Sequence, residues 1–167
     1  MTPAEVLKDA FGRILESGTA VVDGLTEDQL THRAGPDANT IAWLVWHLTR
    51  VQDDHVADVA GTEQVWTSQG FAEKFGLPFD DAATGYGQTT EEVGQVVASA
   101  EQLAAYLAAT HEATIAYLDT VTDEDLDRVV DERWDPPVTL GVRLVSVVND
   151  DTQHVGQAAY VRGLLGA

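Results

Sequence analysis

Four long stretches of this chain each open on a threonine, and that punctuation constrains the fold more than any other feature. Thr2-Pro3-Ala4-Glu5 places a capping hydroxyl, then proline at the first helical position, then glutamate at the third. The threonine accepts from the glutamate's backbone N–H and the glutamate reaches back to the threonine's own; proline has no N–H to leave unpaired there. A helix is predicted from Pro3 to about Val22, with Val6, Leu7, Ala10, Ile14, Leu15 and Val21 as its apolar stripe. Asn39 or Thr40 opens a second helix that runs through Ala60 and stops at Gly61. Thr89-Thr90-Glu91-Glu92 is another capping box, predicting a third helix to about Thr120. Thr139, just past Pro136-Pro137, opens a fourth that ends between Gly163 and Gly166.

Strand signals are weak. Residues 128–134 read as a short extended piece without a set of partners for a sheet. Residues 61–88 carry Trp66, Phe71, Phe75 and Phe79 among glycines and polar residues. They read as a long connection with one short helix, packed over one side or end of the helices. Asp23-Gly-Leu-Thr-Glu-Asp-Gln-Leu30 also echoes Asp119-Thr-Val-Thr-Asp-Glu-Asp-Leu126, each just after a long helix. A chance recurrence of short acidic turns fits that echo too. Two helix–turn–loop–helix halves make an all-α four-helix bundle, expected as a single domain over 1–167 with a long, partly helical connection between its second and third helices.

The chain has 28 acidic and nine basic residues, a formal charge of −19. Such a field repels phosphate backbones and anionic membrane surfaces, so neither nucleic acid nor membrane is an expected partner. Cysteine is absent, which excludes disulfides, thiolate ligands and a cysteine nucleophile. Any thiol chemistry here must use a thiol carried by another molecule. The first residues show no basic start followed by an apolar core, and the run Ile41–Trp46 is far too short to span a bilayer. The expectation is a cytoplasmic protein acting on a small molecule, with a homodimer plausible through helix faces.

Polar residues interrupt the second and fourth helices where they are otherwise apolar. Ile41-Ala-Trp-Leu-Val-Trp-His47-Leu48 is apolar on every face, which marks a helix buried on most sides, and His47 lies inside that run. In the fourth helix Asp150 and His154 stand four residues apart, so their side chains stack on one face, with Gln157 one turn on. A buried carboxylate needs a cation or several donors. Two imidazoles and one carboxylate from two facing helices suit a divalent metal with open positions, and zinc and iron(II) both accept such sets. Spacing alone also fits a plain Asp150–His154 surface pair and a core histidine bonded to a carbonyl. Asp54, seven residues after His47, is placed to act as a base in the same cavity, and Gln157 to touch a bound cofactor. His32 reads as a solvated loop residue, His55 as mainly exposed, and His111 as partly buried and structural.

At these residues the sequence resembles the DinB-like bundle family. The resemblance rests on Leu25-Thr-Glu-Asp-Gln-Leu30, on Asn39-Thr-Ile-Ala-Trp-Leu-Val-Trp-His47-Leu48, and on Asn149-Asp-Asp-Thr-Gln-His154-Val-Gly-Gln157 followed by Arg162-Gly-Leu-Leu165. It implies a four-helix bundle with one metal, usually zinc or nickel, held by a histidine of the second helix and two residues of the fourth. Those positions match His47, Asp150 and His154. The commonest family pattern has histidine where this chain has Asp150. A carboxylate there is similar to the mycothiol-dependent maleylpyruvate isomerase branch. Because that isomerase carries a further C-terminal domain with no counterpart in these residues, its own reaction is not implied. The resemblance implies thiol-dependent transferase or isomerase chemistry with mycothiol, bacillithiol or glutathione. The leading expectation is thus a metal-dependent S-transferase using a mycothiol-type co-substrate. Metal-dependent hydrolysis of a small molecule and a non-enzymatic, metal-stabilised binding or stress role are the alternatives.

Overall fold

A computed structural model describes all 167 residues. Four long helices, α1 (Pro3–Val22), α3 (Ile41–Ala60), α7 (Ala100–Leu118) and α8 (Leu140–Leu165), form the bundle. Short helices fill the connections: α2 (Glu27–Leu30), α4 (Val65–Ser68), α5 (Phe71–Phe75) and α6 (Thr90–Val93). The chain is all-α apart from one small hairpin, as the sequence indicates. No helix is long and apolar enough to cross a membrane.

The caps explain the boundaries. Thr2, Thr40 and Thr139 accept from the backbone N–H three residues on and start α1, α3 and α8. Each such cap contributes about 1 kcal/mol. Gly61 and Gly166 close α3 and α8 in the left-handed region, which glycine enters without a Cβ penalty.

Several expectations need correction. The Thr89–Glu92 capping box forms, but it opens only the four-residue α6. A second box, Ser99 with Gln102, opens α7 ten residues later, after a bend that buries Val93, Val96 and Ala98. Residues 61–88 hold two short helices, α4 and α5, rather than one. The extended piece has a partner: β1 (Val129–Asp131) pairs antiparallel with β2 (Val138–Thr139). On α1, the buried face is Leu7, Phe11, Ile14, Gly18 and Val21, while Val6, a 100° turn away from Leu7, points to solvent at 51% exposure.

Each long helix packs against two others, α3 on α7 and α8, and α1 on α7 and α8. The pairs α1/α3 and α7/α8 therefore lie on the diagonals. Arg162 at the end of α8 donates to the carbonyls of Ala20 and Asp23 at the end of α1, so these two helices run in the same direction. His47 meets His154 and His55 meets Arg143, so α3 runs antiparallel to α8. At Gly18 α1 comes so close to α7 that a Cβ would lie 2.6 Å from a Leu107 methyl.

Candidate metal centre

Residues 41–50 of α3 are all buried, as the apolar wrapping of that segment predicts. His47, 6% exposed, leaves α3 toward α8. There it meets His154, with ring centroids 4.9 Å apart. His154 Nε2 lies 3.6 Å from Asp150 Oδ1. One donor atom from each of His47, Asp150 and His154 falls within 4.8 Å of the other two. The triad anticipated from spacing and resemblance is thus brought together by the α3–α8 packing.

Hydrogen bonding assigns the free atoms. The Nδ1 of His47 lies 2.5 Å from the carbonyl oxygen of Thr84, which can only accept, so Nδ1 carries the proton. The Nδ1 of His154 lies 2.9 Å from the amide oxygen of Gln157. The His47 ring therefore keeps its Nε2 lone pair, and a His154 ring bonded this way turns its Nε2 toward Asp150. Asp150 Oδ2 is buried without a hydrogen-bond partner. Two imidazoles and a carboxylate with one unpartnered oxygen are a donor set that fits a divalent cation. Burial pulls the pKa of His47 below the ordinary imidazole value, with His154 adding to that, while the Thr84 carbonyl and Asp150 pull the other way. The neutral form, the one able to ligate, is favoured.

The walls come from α3 and the connection. Trp43 stacks on His47 at 4.4 Å and turns its edge to His154, and its indole N–H donates to Gln88. A Cβ on Gly85 would lie 2.7 Å from His47 Nδ1 and 3.0 Å from the Trp46 ring, and its φ of +94° already requires glycine. A cleft of about 620 Å³, lined by Asp37, Asn39, Leu44, Gln153, Gln157 and Tyr160 but by none of the triad, meets the site through Gln157. Gln157 thus bridges His154 and the cleft.

Other candidates lie elsewhere. Asp54 is half-buried and its Oδ1 accepts from Gln64, which ties it to the connection with no hydrogen bond to the triad. His55 is half-buried rather than mainly exposed, with Nδ1 3.1 Å from a guanidinium nitrogen of Arg143. His111 is half-buried on α7, with an unpartnered Nδ1, and His32 is exposed. The carboxylate deepest in the core is Asp151, fully buried with both oxygens unpartnered, whereas the Asp150 side chain is 39% exposed.

Sequence reasoning missed Arg50 and the loop carbonyls it holds. Arg50 is fully buried and donates to Ala83 O at 3.0 Å, Asp81 O at 3.1 Å, Gln64 Oε1 at 2.8 Å and Tyr106 Oη at 3.2 Å. Asp53 lies 3.7 Å from it and accepts from the N–H groups of Val65 and Trp66 and from Tyr106. A lone arginine three residues after His47 in an apolar helix was the available signal.

No curated protein matches this sequence significantly. A solved structure described as the conserved protein of a locus from Enterococcus faecalis is similar throughout. The identity is 34% and the TM-score 0.93, with 100% of this chain and 99% of that one covered. The family model of the DinB superfamily matches residues 13–158, a span that contains α3, the connection, α7 and the site-bearing part of α8. With a match over that much of the chain and the bundle in place, the chain belongs to the DinB superfamily.

Proposed function

We propose that this protein is a metal-dependent S-transferase that joins a low-molecular-weight thiol of the mycothiol type to a small electrophile. The observation that carries the reading is that one donor atom from each of His47, Asp150 and His154 lies within 4.8 Å of the other two, beside Gln157, which lines an open cleft. His47, Asp150 and His154 would hold the ion, zinc in the first instance, with nickel or iron also compatible. Bound there, a divalent ion supplies positive charge that lowers the pKa of a thiol or water beside it.

The chain's own groups do the rest. It has no cysteine, so the sulfur must come from the co-substrate. Trp43 and the Gly85 backbone shield one side of His47 from water. Gln153, Gln157, Asn39 and Tyr160 offer the cleft polar groups for a hydroxyl-rich thiol carrier. In the transfer the thiol sulfur forms a bond to carbon and the carbon–chlorine bond breaks, chloride leaving with the electron pair. With an epoxide the carbon–oxygen bond breaks instead and that oxygen takes up a proton. The thiol proton goes to solvent, directly or through a base; Asp54, the base expected from the sequence, is tied to Gln64 with no hydrogen bond to the triad, and its role is to be tested.

The experiment is conjugation of a chlorinated or epoxide test compound to mycothiol, and to other thiols, by zinc-loaded protein. The wild type should outpace His47→Ala with at least one thiol, and Asp54→Ala reports on the base. If no thiol reacts faster with the loaded wild type than with His47→Ala, the transferase reading fails. Ester or amide cleavage by the loaded protein without thiol would put a hydrolase in its place.

A further inference from the structure

His47 is the member of the triad whose orientation depends most on a distant piece of chain. Its Nδ1 proton goes to the carbonyl of Thr84, 37 residues away in the connection. A loop carbonyl is a poor anchor unless the loop is itself held. Two features hold it. Arg50, one turn below His47 on α3, donates to the carbonyls of Asp81 and Ala83 at once. Its Nη1 donates to Gln64 and Tyr106, and the guanidinium lies 5.1 Å over the Trp66 ring, so it is held from several sides. The second feature is Gly85, whose missing side chain lets the backbone lie flush on His47, Trp46 and Trp43. Gln88 closes the far end by accepting from the Trp43 indole.

We propose that Arg50 and Gly85 are positioning residues that press the Thr84 carbonyl onto His47, holding it as the Nδ1–H tautomer with Nε2 presented to Asp150 and His154. A neutral imidazole has two tautomers, and only one leaves Nε2 able to ligate. Outer partners of a metal-binding histidine set its tautomer and ring direction, and their loss commonly weakens metal binding about 10–100-fold. The consequence for metal rests on the proposed role of His47 as a ligand, but the tautomer does not.

The test is nitrogen-15 NMR of histidine-labelled, metal-free protein at pH 8, which shows which ring nitrogen carries the proton, followed by zinc titration. Wild-type His47 should be Nδ1–H. Arg50→Lys keeps a positive charge facing Asp53 but cannot reach two carbonyls with a planar fork. Gly85→Ala pushes the loop off the ring from the other side. Both variants should move His47 toward a tautomer mixture, leave the His154 signals unchanged, and weaken zinc binding about 10–100-fold. Helical circular dichroism checks that they fold. A wild-type His47 that is Nε2–H or mixed overturns the proposal, whatever the variants do. So do folded variants that keep pure Nδ1–H and bind zinc within about twofold of wild type. Absence of zinc binding by wild type would defeat the metal reading and leave the tautomer result standing, so the two failures are distinguishable.

Discussion

Asp150 and Asp151 are neighbours in sequence and opposites in environment. Asp150 faces the two histidines and keeps partial access to solvent, while Asp151 points into the bundle with no partner. Burial, and then the adjacent Asp150, push the Asp151 pKa well above the ordinary carboxylate value. The folded state therefore keeps this proton to a higher pH than the unfolded chain does. The associated stability is present in acid and is lost as pH rises through the folded pKa. Asp151→Asn cannot ionise, so it should melt above the wild type at pH 8 and converge with it near pH 4, by differential scanning fluorimetry. A gain of 1 kcal/mol corresponds to about 2–4 °C in a chain of this size. His47 and His55 shift the other way. Burial pulls both below the usual imidazole value, with the Arg143 charge adding to the effect at His55. Unfolded histidines take their protons near pH 6.5, before the folded ones do, so metal-free protein should lose stability as pH falls below about 6.5. A melting temperature unchanged between pH 7.5 and 5.5 in the metal-free wild type, but altered in His47→Gln, would contradict that sign.

Among the elements, α1, α3 and α8 were legible because each start carries a capping threonine, ahead of an apolar stripe in α1 and an all-round apolar run in α3. The start of α7 was not. Thr89–Glu92 and Ser99–Gln102 are equally good capping boxes locally, and the choice between them is made by burial of Val93, Val96 and Ala98 in the bend. The grouping of the triad was legible because Asp150 and His154 share a helix face and His47 interrupts an otherwise apolar buried run. The clamp on His47 was not, because a carbonyl from residue 84 leaves no side-chain signature in sequence. The α1–α7 contact gives a direct test of packing. Gly18→Val must force Leu107 aside and should cost about 1–3 kcal/mol. Gly12→Ala, on the same helix with nothing within 4 Å of the new Cβ, should gain up to about 1 kcal/mol from helix propensity. Urea denaturation of both variants checks the pair, and equal effects would mean that α1 does not approach α7 at Gly18.

For the whole molecule, the candidate site arises because the antiparallel α3 and α8 bring one histidine and an i, i+4 pair together, while Thr84 and Gly85 of the connection pack on His47. A bundle so built brings two imidazoles and a carboxylate with an unpartnered oxygen within reach of one another, a donor set suited to a divalent cation. Metal content is therefore the most direct test. Elemental analysis of protein purified without a nickel column should find about one divalent ion per chain, absent from His47→Ala and His154→Ala. Metal at 100 times its dissociation constant stabilises the fold by about 2.7 kcal/mol, a chelator-sensitive shift of roughly 5–11 °C. Protein that holds no ion, gains none on addition of zinc, and melts at the same temperature with and without chelator would contradict the account.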